Sequence, residues 1–274
     1  IRREVGDRAG EGATLNNLGA VYDNLGQYEQ ARNLYEQALA IRREVGDRAG
    51  EGATLSNLGL VYNNLGQYEQ ARDLYEQALA IRREVGARAG EGTTLSNLGQ
   101  VYDNLGQYKQ ARDLYEQSLA IRREVGDRAG EGTTLNNLGE VYRGLGQVEQ
   151  ARDLYEQALA IRREVGDRAG EGATLNNLGL VYRALGQVEQ ARELYEQALA
   201  IQREAGDRAG EGTTLNNLGY VYDNLGQVEQ ARDLYEQALA IHREVGNRAM
   251  EGTTLSNLGY VYDNLGQVEQ ARDL

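Results

Sequence analysis

Leu15–Ile41 reads LNNLGAVYDNLGQYEQARNLYEQALAI, and close copies of it start at Leu55, Leu95, Leu135, Leu175 and Leu215. A seventh copy opens at Leu255 and runs to Leu274. A fixed repeat of this length is the signature of a solenoid, in which each unit buries its apolar face only against its neighbours. Within the stretch, Leu15, Leu18, Tyr22 and Leu25 fall at helical spacing and form one stripe. Ala31, Leu34, Tyr35, Ala38, Ile41 and Val45 form a second stripe beyond Gly26. The spacing predicts a first helix from about Arg8 to Leu25 and a second from about Gln27 to Val45, folded back on each other as a hairpin.

Outward from the stretch, the junction IRREVGDRAGEG joins one copy to the next. Gly6 suits a left-handed helix stop, and Asp7 suits an N-cap that accepts a backbone N–H. Ala87 and Asn247 replace that Asp in two copies, and the Ala copy is expected to lose about 1 kcal/mol of capping. Gly10, Gly12 and Gly19 stand inside the first helix at about 1 kcal/mol each relative to Ala. Gly19 is expected to admit the second helix through contact with Ala31, and Gly10 and Gly12 to permit close helix entry or fraying.

Composition narrows the classes. Apolar residues make up 41% of 274 residues, with eighteen Tyr and no Trp or Phe, which suits a thin core running along an array. Without Cys there is no disulfide, thiolate metal site or Cys nucleophile. The 42 acidic against 29 basic residues leave a net charge of −13, which argues against nucleic acid as a partner. No run is long and apolar enough for a membrane span or a signal peptide, so a cytoplasmic protein without a membrane partner is expected. The chain lacks an initiating Met, and both ends fall inside a repeat, as expected of a fragment of a longer array.

The residues Leu15, Leu18-Gly19, Tyr22, Gly26-x-Tyr28, Ala31, Tyr35 and Ala38-Leu39, repeated in register across essentially the whole chain, resemble the tetratricopeptide (TPR) signature. The resemblance implies an all-α fold, an α-solenoid in which helical hairpins wind as a right-handed superhelix. The expected organisation is a single solenoid over 1–274, with six complete helix pairs and partial helices at both ends. Two departures stand out: the period is 40 residues rather than 34, and Arg43 occupies the place of the usual Pro. The GDRAGEG-type junctions resemble the arrays of Pins-type polarity adaptors. The TLNNLGxVYxxLGQYEQA segment is similar to kinesin light chain and to the sensor arrays of bacterial signalling NTPases.

The copies differ mainly on one face. The most changeable place holds Ala20, Leu60, Gln100, Glu140, Leu180, Tyr220 and Tyr260; three residues on stand Asp23, Asn63, Asp103, Arg143, Arg183, Asp223 and Asp263. The first of these sets, with 13, 16, 17 and 24, lies nearly opposite the first-helix stripe at about 100° per residue. Among them is an unvarying Asn: Asn17, Asn57, Asn97, Asn137, Asn177, Asn217 and Asn257. The TPR resemblance implies that this face lines a concave groove and that the Asn ladder holds the main chain of an extended peptide. A carboxamide offers donor and acceptor together, which suits a peptide backbone regardless of its sequence. Selectivity would then come from the variable places. Arg143 and Arg183, with Glu140 near them, suit a carboxylate or phosphate. Leu180, Tyr220 and Tyr260 suit apolar groups, and Asp23, Asp103, Asp223 and Asp263 suit basic ones.

No catalytic constellation emerges. His242 replaces an Arg and Lys109 a Glu, and both read as surface substitutions. GEGTT after Ala89 lacks the spacing and the Gly-Lys-Ser/Thr of a phosphate loop. Glu11, Glu29 and Glu36 recur without a matching base or nucleophile; Glu29, Arg32 and Glu36 are spaced as solvated helix pairs. Tyr28, Tyr68 and Tyr108 become Val148, Val188, Val228 and Val268, an exchange expected within packing. The expected function is a protein–protein interaction scaffold, without enzyme activity or cofactor, that takes a protein or peptide partner in its groove. The rival expectation is a structural array: a chain opening on the tail of a second helix and ending at Leu274 would self-associate head to tail.

Overall fold

The computed structural model describes residues 7–272, so the helix tail expected at positions 1–6 and the chain end at Leu274 lie outside the described residues. Among the described residues there are fourteen α-helices and no strand. The first helices of the hairpins are α1 (Arg8–Asn24), α3 (Arg48–Asn64), α5 (Arg88–Asn104), α7 (Arg128–Gly144), α9 (Arg168–Ala184), α11 (Arg208–Asn224) and α13 (Arg248–Asn264). The second helices are α2 (Tyr28–Val45), α4 (Tyr68–Glu84), α6 (Tyr108–Val125), α8 (Val148–Val165), α10 (Val188–Ala205), α12 (Val228–Glu244) and α14 (Val268–Arg272). The chain forms two compact units, residues 1–141 and 142–274.

The helix ends follow from the local sequence. Asp47 accepts the backbone N–H of Gly50 at 2.9 Å, and Gly46 at φ 71° closes α2 in the left-handed conformation. Ala87 offers no side-chain cap, whereas Asn247 still accepts from Met250 N at 3.2 Å.

In each unit the core is a series of small clusters, one per helix junction. One in the first unit gathers Ala71, Tyr75, Leu79, Leu95, Leu98, Val101 and Ile121; its counterpart in the second unit gathers Ala151, Tyr155, Leu159, Leu175, Leu178, Val181, Ala198 and Ile201. Several stripe assignments need correction. Val61, Val101, Val141, Val181, Val221 and Val261, absent from the expected stripe, are 0% exposed, and Leu39 is buried too, whereas in α1 Val21 is exposed, as are Leu18 and Leu25, which were expected inside. Val45, expected inside, is exposed at the end of its helix, where no further turn covers it. Tyr28, Tyr68, Val148, Val188 and Val228 pack at the margins of these clusters, so the exchange sits within packing at these places, whereas Val268 is exposed.

The glycines have contacts other than those expected. A Cβ on Gly59 would stand 2.9 Å from the ring of Tyr75, so the aromatic, rather than the small Ala, needs the gap. Gly52 lies against Ile81 in the same way, and a Cβ on Gly50 would fall on the Arg42 guanidinium and the Asp47 carboxylate.

The junction holds a buried carboxylate. Glu51 accepts from Arg43 Nε at 2.8 Å and from Arg48, and Arg48 also bonds Glu84. One chain of charges thus links α2, α3 and α4, and it recurs as Arg83, Glu91, Arg88 and Glu124. In the second unit it recurs as Arg163, Glu171, Arg168 and Glu204 and as Arg203, Glu211, Arg208 and Glu244. Burial alone would raise the Glu51 carboxyl, but hydrogen bonds from Arg43 and Arg48 outweigh it and hold the group below its ordinary range. Glu29–Arg32 at 2.6 Å is a surface pair, as the spacing implied.

Candidate functional site

First helices of successive hairpins touch one another, α1 with α3 and α3 with α5 in one unit, α9 with α11 and α11 with α13 in the other. Among the described residues second helices meet only through longer side chains, as Arg203 of α10 does with Gln237 of α12 at 3.5 Å. The first-helix side is therefore the tighter side of each stack, and the changeable residues stand on it.

Leu60, Gln100, Tyr220 and Tyr260 are exposed there, as is Arg143, while Glu140, Leu180 and Arg183 are half-buried. Tyr260 is 62% exposed, the most open large apolar side chain of this set. Arg183 is held by its neighbour in the next hairpin: its Cζ lies 4.5 Å from the centroid of the Tyr220 ring, a cation–π contact. Arg143 and Arg183 both stand near enough to Tyr195 to offset part of the burial that pushes its phenol up to about 12. The two guanidiniums thus act on one locality of the second unit. On the first unit the corresponding places are acidic or neutral: Asn63 accepts from Asn104 at 3.1 Å, and Asn64 hydrogen-bonds Asp23, whose carboxyl burial raises.

The unvarying Asn residues have partners within the fold that periodicity does not reveal. Asn17 is exposed, Asn217 is buried, and Asn57, Asn97, Asn137, Asn177 and Asn257 are half-buried. Asn57 donates to Asn16 at 3.3 Å, Asn217 to Asn176 at 3.0 Å and Asn257 to Asn216 at 3.2 Å. Thr54, Thr214 and Thr254, each fully buried, donate to the same three acceptors at 3.1 Å. These bonds join first helices of successive hairpins. A single donated bond still leaves each carboxamide a second N–H and its oxygen. The sequence signal for this role is the Asn-or-Ser choice at position 16, counted above only among the changeable positions.

His242 corrects another expectation. It is 0% exposed rather than on the surface, and its ring nitrogens make no well-formed hydrogen bond, the backbone of Gly212 being the polar group beside them. Lys109 is exposed as expected. No group of three His, Cys, Asp or Glu side chains among the described residues is placed to hold a metal ion. No helix among them is long and apolar enough to cross a membrane.

Repeats running 40 residues apart, paired antiparallel helices and a Gly–Tyr close approach at Gly19, Gly59, Gly99, Gly179 and Gly219 define a helical-hairpin repeat protein. Tetratricopeptide repeat models match residues 12–45, 50–124, 130–204 and 210–274, and the chain belongs to that family, with its α-solenoid fold. No curated protein sequence matches it significantly. Among solved structures it is similar to BtubC (BKLC) from P. vanneervenii, at 25% identity and TM-score 0.70 over 80% of this chain and 92% of that one. It is also similar to the nearly identical TPR-like repeats of a Podosopora anserina kinesin light chain candidate, at 28% identity and TM-score 0.58 over 70% of this chain and 95% of that one. The TPR-sensor STAND protein of Pyrococcus horikoshii shares the fold at 18% identity and TM-score 0.78, over 94% of this chain and 41% of that one.

Proposed function

We propose that the chain is a protein-interaction scaffold that takes an extended peptide segment along its first-helix face. The family supports an interaction scaffold, and the concentration of changes on that face supports the finer reading: an otherwise uniform array varies where a ligand would be told apart. The ladder carboxamides would bond the peptide main chain, each bond netting only about 0.5–1.5 kcal/mol, so several repeats act together. In the second unit, Arg143 and Arg183 would take an acidic side chain, with Leu180, Tyr220 and Tyr260 supplying apolar contact. Arg183, already stacked on Tyr220, loses less freedom on binding than an unstacked side chain would.

A peptide-display selection on the whole chain, followed by affinity measurement on the hits, tests this. Binders should be acidic, weaken with Asn137→Ala plus Asn177→Ala, and reverse their charge preference with Arg143→Glu plus Arg183→Glu. Selection of no peptide, or indifference to all four changes, sinks the reading.

A further inference from the structure

Four second helices carry an Arg followed directly by an Asp, and each pair is bonded: Arg72–Asp73 at 2.8 Å, Arg112–Asp113 at 2.7 Å, Arg152–Asp153 at 2.7 Å and Arg232–Asp233 at 2.6 Å. In α10 the same place reads Arg192-Glu193, the one Glu among these positions. No ion pair joins those two; Arg192 lies 3.7 Å from Glu196 instead. Lengthening the carboxylate by one methylene thus separates it from its own Arg.

Glu193 stands on the rim of a pocket of about 260 Å³ between α8 and α10. Leu159, Leu178, Leu194 and Tyr182 line it, and Glu156 shares the rim. The pocket opens between second helices whose backbones stand apart, and the first-helix residues in its lining, Leu178 and Tyr182, belong to the core stripe rather than to the changeable face. Glu156 is already served by the Tyr182 hydroxyl, which donates at 3.1 Å, and by Arg152 at 3.8 Å. Glu193 has no such partner. An apolar lining topped by one served and one unserved carboxylate is complementary to a side chain with a long alkyl stem and a cationic tip.

We propose that this pocket docks an arginine side chain from a basic segment of a partner protein. The stem lies along the leucines, the guanidinium reaches Glu193, and the ring of Tyr182 offers a stacking face that favours Arg over Lys. The net charge of −13 draws such a segment toward the chain in general. Glu193 gives it a place.

The experiment titrates the whole chain with a labelled peptide of alternating Arg and Gly and with its citrulline counterpart. Glu193→Asp is the decisive variant, because it keeps the net charge and restores the sequence that four sibling helices fold with; Glu193→Gln is the second. Either should weaken the Arg peptide about two- to fivefold, the range of a half-exposed ion pair. The citrulline peptide should bind no better than that, and Arg143→Glu plus Arg183→Glu should leave the Arg peptide unaffected. Equal binding by Glu193→Asp, or by the citrulline peptide, overturns the proposal. So does loss of binding through the first-helix variants, which would place the peptide on the other face. Spermine that displaces the peptide and is itself weakened by Glu193→Asp would make the pocket a small-cation site, which also overturns the docking assignment.

Discussion

Asn57 donates its side-chain N–H to Asn16 across two hairpins at 3.3 Å, whereas Asn97, which follows Ser56 instead of an Asn, interacts with the hydroxyl of Tyr75. Asn137, which follows Ser96, does the same with Tyr115. Asn217 follows Asn176 and bonds it, and the Tyr195 hydroxyl is correspondingly left without a partner. A single atom-level choice at position 16 therefore sets which way the ladder turns. Asn16→Ser is expected to move Asn57 to the Tyr35 hydroxyl, exchanging one bond for another. Urea unfolding should change by less than about 1 kcal/mol, the net worth of one neutral hydrogen bond. Asn57→Ala leaves Asn16 with a lost donor and should destabilise more. If Asn16→Ser proves the costlier of the two, the exchange does not occur.

Glu51 gives a second outcome. Glu51→Gln keeps the shape but removes the charge shared by Arg43 and Arg48, and should lower stability by about 1–3 kcal/mol, the range for bonds to charged groups. Because the folded-state carboxyl sits below its ordinary value of 4.5, its contribution is complete above that pH and is lost as the pH falls through the folded value. The gap between the native chain and the variant should accordingly be constant from pH 8 to pH 5 and close in acid. A gap that widens in acid contradicts this sign.

Much of this was legible beforehand, and the failures share a cause. The 3.6-residue spacing located Leu55 and Tyr75 inside, and Gly–Asp punctuation located the helix ends. Periodicity ranks faces within one helix, however, and a solenoid helix meets neighbours on three sides. Val61, Thr54 and Glu51 are all buried against the adjacent hairpin, at angles a single apolar stripe leaves out. Asn57 was recognised as unvarying, but its bond to Asn16 depends on the rise between hairpins, which no residue spells out. His242 looked exposed because its siblings are arginines, long enough to reach the Asp47-type cap; the shorter ring remains inside.

Gly59 tests the close approach. Gly59→Ala gains about 1 kcal/mol of helix propensity, but its Cβ would stand 2.9 Å from the Tyr75 ring, which is fully buried and has no room to withdraw. The net expectation is a loss of about 1–3 kcal/mol in thermal or urea unfolding. Gly59→Ala with Tyr75→Leu should recover part of it. A stabilised single variant would mean that the ring yields.

His242 carries the pH dependence nearest neutrality. In the first unit the counterpart Arg42 pairs with the Asp47 cap at 2.6 Å and lies where a side chain on Gly50 would go. At the junction of α12 and α13 all three residues have changed together, to His242, Asn247 and Met250: the shorter ring vacates the space Met250 needs, and the cap loses a charge that no cation remains to meet. The flanking charged groups serve one another, Arg208 with Glu211 and Glu244, and Arg243 and Arg248 with Glu251. Burial lowers the imidazole below 6.5, with the Gly212 backbone offsetting only part. The unfolded chain then takes a proton that the folded chain refuses, so stability is complete above 6.5 and falls as the pH drops below it, by at most about 1.4 kcal/mol per pH unit. Between pH 7.5 and 5.5 the native chain should lose unfolding free energy that His242→Gln, the natural choice at position 202, does not lose. Restoring the set with His242→Arg, Asn247→Asp and Met250→Gly should also abolish the dependence. Equal slopes in the native chain and both variants would show that the ring accepts its proton in place.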